Sequence, residues 1–159
     1  MARLITQIVH VRTRVISIFL LKAILTYASG LNYGGWIELK ELDLRLHQAD
    51  LVLSDWRELI VESGKKSGME FEVDSKLRGW LADTGFVNIK EFRINVPVGP
   101  HDQRRIELGI QNQLRLVEGV ASYRRPMIET LCKSHRDVFL AEALTRRSLK
   151  ETPDLSQDL

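Results

Sequence analysis

The first 43 residues alternate between strand-like and helix-like apolar patterns, and this alternation constrains the fold more than any other feature of the chain. The apolar run over residues 5–11 is typical of a strand buried on both faces. Apolar residues over 16–27 recur at helical spacing, and a strand-like pattern returns at 36–42, after Gly34 and Gly35. A strand, a helix and a second strand predict a parallel βαβ unit with a right-handed crossover.

The same segment has no acidic residue before Glu38 and carries several arginines, which leaves a second interpretation open. A basic start followed by the apolar run at 15–25 is also found in transit peptides and secretory signals. Lys22 interrupts that run, whereas crossing a bilayer takes about 18 or more apolar residues in succession. We favour a buried α/β core, expect no membrane association, and keep a targeting peptide as the alternative.

Glycines and capping residues divide the next part of the chain into shorter elements. A helix over 51–63 is predicted to end at Gly64. A second, shorter helix is predicted to start at a cap formed by Asp74 or Ser75. Gly85 is expected at the left-handed position that ends this helix, with the following phenylalanine packing back on it.

The last strand-like pattern gives way to helices near residue 103. Residues 87–96 predict a strand, with a bulge near Lys90 and Glu91 that keeps both halves on one buried face. Helical patterns then run to about residue 150. The first of these helices is expected to face the core with Ile106, Ile110, Leu114, Val117 and Ala121.

Composition excludes several classes of protein. The 159 residues leave room for one modest core, and 23 basic against 21 acidic residues give no electrostatic case for nucleic acid as the main ligand. Cys132 is the only cysteine, so no internal disulfide forms, and this fits a reducing compartment. The four histidines show no metal-ligand spacing, and we predict no metal. The basic pairs at 124–125 and 146–147, interleaved with acids, predict a solvated face, with an acidic partner as the alternative.

Several short motifs resemble one family. Residues 8–12, IVHVR, and residues 34–39, GGWIEL, resemble the LaeA-like (velvet-complex methyltransferase-like) fungal S-adenosylmethionine-dependent methyltransferases. Shorter matches follow at 80–81, 85–89, 96–100 and 107–109.

The resemblance implies an incomplete Rossmann-like fold of the class I methyltransferases, with parallel strands and helices, followed by a C-terminal helical segment. In that family S-adenosylmethionine lies on a glycine-rich turn at the carboxyl ends of the first strands. This sequence has no G-x-G, and its first strand matches the family's fourth. Because the family's strand seven lies between strands five and six, we expect an unfilled gap between the strands at 36–42 and 87–96. We also expect an open edge at residues 5–11.

Polar residues lie where the two predicted parallel strands end, and ligands of α/β sheets bind at such ends. His10 is a candidate general base because imidazole titrates near neutral pH, and Glu41 is its candidate catalytic partner. The candidate substrate-binding residues are Arg12, Trp36, Asp43 and His47. Local pairing for the polar residues, and a core position for the tryptophan, stay open as alternatives. No residue is assigned to the cofactor.

We predict a partial methyltransferase-like domain at residues 1–100, a helical extension at 101–150 and a flexible tail at 151–159. The predicted function is that of a truncated methyltransferase, linked to fungal secondary metabolism, acting on a small molecule and inactive alone because the cofactor turn is missing. The alternative is a non-catalytic interaction or regulatory module that docks on a partner, or self-associates, through strand edges. The resemblance implies the cytoplasm or nucleus.

Overall fold

The computed structural model describes residues 10–11, 26, 29–31, 35–39, 43–69 and 71–158. Its elements in chain order are β1 (His10–Val11), β2 (Glu38–Leu39), β3 (Leu46–His47), α1 (Leu51–Lys66), α2 (Asp74–Asp83), β4 (Asn95–Pro97), α3 (Ile106–Gly119), a 3-10 helix (Val120–Tyr123), α4 (Arg124–Leu131), α5 (His135–Glu151) and β5 (Ser156–Asp158). The protein is of mixed α/β type. None of the helices described is both long and apolar enough to cross a bilayer.

Two units make up the chain, and their boundaries cut across the predicted domains. The first unit joins residues 1–42 to 69–93, and the second joins 43–68 to 94–159. Residues 43–68 therefore group with the C-terminal helices instead of with the remainder of the predicted 1–100 domain.

In the first unit, β1 and β2 pair in parallel, as the alternating pattern predicted. His10 lies opposite Glu38, and Val11 lies opposite Leu39. The core of this unit is built on two buried residues, Val73 and Phe86. Partly buried apolar side chains pack around them: Leu31, Ile37, Leu39, Leu77, Trp80, Leu81 and Ile89. The predicted crossover helix lies outside the described residues except for its end near residue 26.

Helix α2 ends as predicted. Gly85 has a φ of 95°, and its N–H donates to the carbonyl of Ala82 at 2.9 Å. The N–H of Phe86 donates to the carbonyl of Leu81 at 3.0 Å, which completes a Schellman motif. Glycine is required here because a left-handed φ strains any residue with a Cβ.

The start of α2 differs from the prediction of a cap at Asp74 or Ser75. The N-cap position is Val73, which has no side-chain capping bond, and Asp74 is already the first helical residue. Val73 is only 4% exposed. Burial of this valine in the core of the first unit therefore sets the start of the helix in place of a polar cap.

The predicted strand over 87–96 is wrong for most of its length. Only Asn95–Pro97 forms a strand, β4. Asn88 has a φ of 57°, which interrupts the extended chain, and Phe92 is 78% exposed. The apolar alternation over these residues therefore does not correspond to a buried ladder, and no bulge at 90–91 is needed to explain it.

In the second unit, β5 is the central strand of an antiparallel sheet of order β3–β5–β4. Leu46 pairs with Gln157, and Val96 pairs with the same glutamine from the other side. Leu155 is 1% exposed, and its carbonyl accepts from the N–H of Val98 at 2.8 Å. The prediction of a flexible tail at 151–159 is corrected, because Ser156–Asp158 form the central strand between β3 and β4.

Helix α1 runs past its predicted end. Gly64 is buried within it, and the chain turns only at Gly68, whose φ is 72°. A glycine inside a helix costs stability without ending it, so buried packing prevails here. Leu53, Trp56 and Ile60 are buried on one side of α1, which packs against α4 and α5.

Helix α3 is rotated relative to the prediction. Ile106, Ile110 and Leu114 are exposed, whereas Gly109 and Asn112 are the buried residues. The reason is a close approach of two backbones: the N–H of Gly99 donates to the carbonyl of Gly109 at 2.9 Å. A Cβ at position 109 would lie 1.9 Å from the Gly99 carbonyl oxygen, so only glycine allows this contact.

Helices α4 and α5 enclose a buried ion pair. Glu142 is fully buried, and its two carboxylate oxygens accept from the Arg124 guanidinium at 2.6 and 2.7 Å. The hydrogen bonds that Arg124 donates to Glu142 raise the pKa of Arg124, whose guanidinium also lies 4.2 Å from the centre of the Phe139 ring. The predicted solvated face is therefore wrong for this pair, because charge compensation lets the acid occupy the core. The prediction of a solvated face is confirmed for the exposed pair of Arg125 and Glu129.

Replacing Gly109 by alanine should destabilise the protein by about 3 kcal/mol or more, because the new methyl group overlaps the Gly99 carbonyl. Gly119 in the same helix has no atom near its would-be Cβ. Gly119→Ala is the matched control, with an expected gain of up to about 1 kcal/mol. Urea unfolding measures both free energies, and equal effects of the two substitutions would refute the close approach.

Asp50 should make stability depend on pH. Burial by itself would raise the pKa of its carboxyl, but hydrogen bonds from the Ser148 hydroxyl and the Leu53 N–H outweigh it and lower the pKa. The stabilisation is then present above the unfolded value of about 4 and lost as the pH falls through the folded value. We expect Asp50→Asn to cost about 1 kcal/mol near neutral pH and almost nothing in strong acid. Asp55→Asn, an exposed change in the same helix, should stay within about 0.5 kcal/mol throughout.

Candidate functional site

The predicted site residues fall in different parts of the chain. His10 lies in β1 and Trp36 just before β2, both in the first unit, whereas Asp43 and His47 belong to the second. Arg12 and Glu41 lie outside the described residues. Trp36 is 50% exposed, in contrast to Trp56, which is 6% exposed and belongs to the core. A role for Trp36 in stacking on a substrate stays a prediction.

Asp43 lies three residues before β3, and hydrogen bonds to neighbouring residues fix its position. Its carboxylate accepts from the backbone N–H of Arg45 at 2.8 Å and from the guanidinium of the same residue at 2.6 Å. Its own N–H donates to the carbonyl of Asp158 at 3.0 Å, and its carbonyl accepts from the side chain of Gln157. Asp43 is therefore both paired locally and bound to the C-terminal strand.

His47 is brought against Asp158 by the pairing of β3 with β5. The distance from Nε2 of His47 to Oδ1 of Asp158 is 3.1 Å. The same oxygen accepts from the Asn95 amide at 3.2 Å, and that amide also donates to the Ser156 hydroxyl at 2.9 Å. Each of the three strands thus contributes to one polar cluster, which we define as the His47 cluster: His47, Asn95, Ser156 and Asp158.

The alternation of side chains along a strand explains why these residues share a face. Ser156 and Asp158 point to one side of β5, and Gln157 points to the other. Gln157 is 1% exposed, and its Oε1 accepts from the Arg115 guanidinium at 2.7 Å. Arg115 also donates to Asn112, whose amide donates to the Pro97 carbonyl at 3.1 Å. One face of the sheet is therefore a buried polar network, and the other carries the His47 cluster.

Arg105 borders the His47 cluster at the N-terminal end of α3. Its guanidinium donates to the Asn95 carbonyl at 2.5 Å and to Asp102 at 2.7 Å. The hydrogen bond from Arg105, together with one from the N–H of Arg104, lowers the pKa of the Asp102 carboxyl. Asp102 is therefore charged near neutral pH, and it holds the guanidinium beside β4.

The His47 cluster offers hydrogen-bond donors and acceptors without a metal site. No group of three metal-ligating side chains occurs among the residues that the structure describes. An imidazole beside a carboxylate can accept a proton from a bound hydroxyl or amine, because the carboxylate stabilises the imidazolium that forms. The sequence pointed to His47 but missed Asn95, Ser156 and Asp158. Residues 155–158 read LSQD, one apolar residue followed by three polar ones, so no apolar alternation predicts the strand that carries Ser156 and Asp158.

Cys132, the single cysteine of the chain, is exposed. It lies just past the end of α4, in the left-handed conformation with a φ of 52°. The turn that closes α4 requires this conformation, so the cysteine faces solvent instead of the core.

The buried and exposed faces of β5 should respond differently to substitution. We expect Gln157→Ala to cost about 2 kcal/mol, since it removes one buried hydrogen bond of Arg115 and the side-chain donor of the Asp43 carbonyl. Asp158→Asn removes the charge of a partly exposed ion pair but keeps an oxygen that can accept from Asn95, and should cost less than about 1 kcal/mol. Urea unfolding of both variants tests this order. A larger loss for Asp158→Asn would contradict the assignment of the faces.

Comparison with known proteins points to one class of enzyme. The chain is 30% identical over 98 residues to a probable methyltransferase, tdiE, of Emericella nidulans. The matched region covers 57% of this chain and 31% of that protein, so the chain spans about a third of the length of the relative it matches. No family model matches the chain. No solved structure is significantly similar to it. The similarity to tdiE supports a methyltransferase relationship.

Proposed function

We propose that this chain forms the acceptor side of an S-adenosylmethionine-dependent methyltransferase fold. The observation that carries the proposal is the parallel pairing of β1 with β2. It agrees with the resemblance, in which these two strands match the family's fourth and fifth strands. The similarity to tdiE gives independent support. The LaeA-like subfamily and a link to fungal secondary metabolism are parts of the same proposal, supported by the GGWIEL motif.

The described residues do not fit the methyl donor. A nucleoside cofactor needs a glycine-rich turn that the ligand can approach closely. The described glycines with positive φ have other roles: Gly85 closes α2, Gly68 follows α1, and Gly99 contacts Gly109. We therefore derive no step through the donor. We propose instead that this chain alone does not hold it.

The His47 cluster is the part of the second unit best suited to an acceptor. Methyl transfer needs an oxygen, nitrogen or carbon nucleophile that is correctly placed and can lose a proton. His47 is exposed, and Asp158 fixes one of its two ring nitrogens, which leaves the other free to receive that proton. In this proposal Asn95 and Ser156 orient a small polar acceptor. His10 and Glu41 as catalytic residues, and Arg12, Trp36 and Asp43 as binding residues, stay predictions.

The alternative, a non-catalytic module that docks on a partner or self-associates through strand edges, stays a prediction. Within the second unit, β5 pairs with both β3 and β4, so a partner strand cannot insert between those two strands. We prefer the methyltransferase proposal because the similarity to tdiE supports it.

Isothermal titration of the full chain with S-adenosylhomocysteine tests whether this chain alone can hold the methyl donor. We expect no binding up to about 1 mM, because no described turn can hold the nucleoside. A complete methyltransferase titrated in the same buffer is the positive control.

Two results would contradict the proposal in distinguishable ways. Micromolar binding of S-adenosylhomocysteine would show that the chain does hold the donor, and it would not affect the assignment of the fold. Nuclear Overhauser contacts typical of an antiparallel pair between residues 10–11 and 38–39 would refute the fold itself.

A further inference from the structure

Helix α5 carries apolar side chains on two opposite sides, although a surface helix needs only one apolar stripe. The inner side is covered: Val138, Thr145 and Leu149 are buried where α5 packs on α1, α3 and α4. The opposite side is exposed along its whole length. We call it the α5 outer face, and it consists of Arg136, Leu140, Ala143, Leu144, Arg147, Lys150 and Glu151.

Two leucines form the centre of the α5 outer face. Leu140 is 58% exposed and Leu144 is 44% exposed. At a spacing of four residues they lie one above the other, and Ala143 beside them adds a small apolar surface. The seven residues extend over 16 positions of one helix, a rise of about 22 Å. This is the length and spacing that a second amphipathic helix needs in order to pack along a groove or ridge.

Three of the four charged residues of the α5 outer face are basic. Arg136 lies before the leucines, Arg147 and Lys150 lie after them, and Glu151 is the one acid. Arg147 pairs with Glu151 at 2.8 Å in an exposed position. The carboxylate of the nearby Asp137 accepts a hydrogen bond from the hydroxyl of Ser134, the N-cap residue of α5. Among the described residues, no carboxylate lies within ion-pair distance of Arg136 or Lys150. The net charge of the whole chain is only +2, so this excess is a local property of the face.

We propose that the α5 outer face binds an acidic amphipathic helix of a partner protein. The leucines would pack between apolar side chains of the partner, and its Asp or Glu residues would pair with Arg136 and Lys150. An acidic partner was the alternative that the basic pair at 146–147 left open, and Arg147 lies on this face. The proposal does not depend on the methyltransferase assignment, because it uses no residue of the His47 cluster.

The test uses the full chain and two fluorescent helical peptides of about four turns. Both peptides carry leucines four residues apart, flanked by glutamates in one peptide and by lysines in the other. We expect the acidic peptide to bind at least about ten-fold more tightly at low salt, and the preference to shrink at high salt because exposed charges are screened. Fluorescence anisotropy measures both affinities.

Variants separate the two parts of the surface. Leu140→Ser with Leu144→Ser should weaken binding of the acidic peptide about ten-fold, and Arg136→Glu with Lys150→Glu should reverse the peptide preference. Leu51→Ser is the matched control, since Leu51 is 81% exposed on another helix, and it should bind as the wild type does. The charge-reversal variant changes only exposed side chains and tests the proposal even if the leucine variant unfolds.

Three outcomes would overturn the proposal. The first is equal affinity, or no affinity, of the wild-type chain for the two peptides. The second is unchanged peptide preference in Arg136→Glu with Lys150→Glu. The third is binding to anionic phospholipid vesicles in preference to the acidic peptide, which would assign the face to a membrane surface.

Discussion

The second unit depends on a strand that arrives last in the chain. Without β5, the edges of β3 and β4 would have no common partner, and the buried side chains of Leu155 and Gln157 would be missing from the unit. A central strand satisfies backbone groups on both of its sides, so three residues at the C-terminus join segments that are far apart in sequence. The same strand supplies Asp158, so that the His47 cluster lies on the face of the sheet opposite to Gln157.

Polar contacts between distant segments hold the helices around this sheet. Asp50 caps α1 and accepts from Ser148 at the end of α5, and Glu142 compensates Arg124 across the α4–α5 contact. The charged groups of Asp50, Glu142 and Arg124 are each hydrogen-bonded to a specific partner. Such groups cost free energy when they lose that partner, so they fix one packing arrangement more strictly than apolar contacts do. The leucines of the α5 outer face are exposed in the described part of the second unit, and for this reason we propose that a separate molecule covers them.

Several elements were predictable because local physics determines them. The end of α2 at Gly85 follows from a left-handed turn, and the parallel direction of β1 and β2 follows from the apolar pattern. The rotation of α3 was not predictable, since Ile106, Ile110 and Leu114 have the spacing of a buried stripe. The close approach at Gly109 decides which side faces inward, and a contact with a residue ten positions earlier leaves no periodic signal.

The sequence by itself determined the end of α2 at Gly85, the parallel direction of β1 and β2, the resemblance to methyltransferases, and His47 as a site candidate. Only the tertiary structure decided that Asn95, Ser156 and Asp158 accompany His47, and that Glu142 is buried. The physical reason is the range of the interactions. Helix caps, turns and apolar periodicity act over a few residues and can be read from the chain. Strand pairing and charge compensation join residues tens of positions apart, and folding alone brings them together.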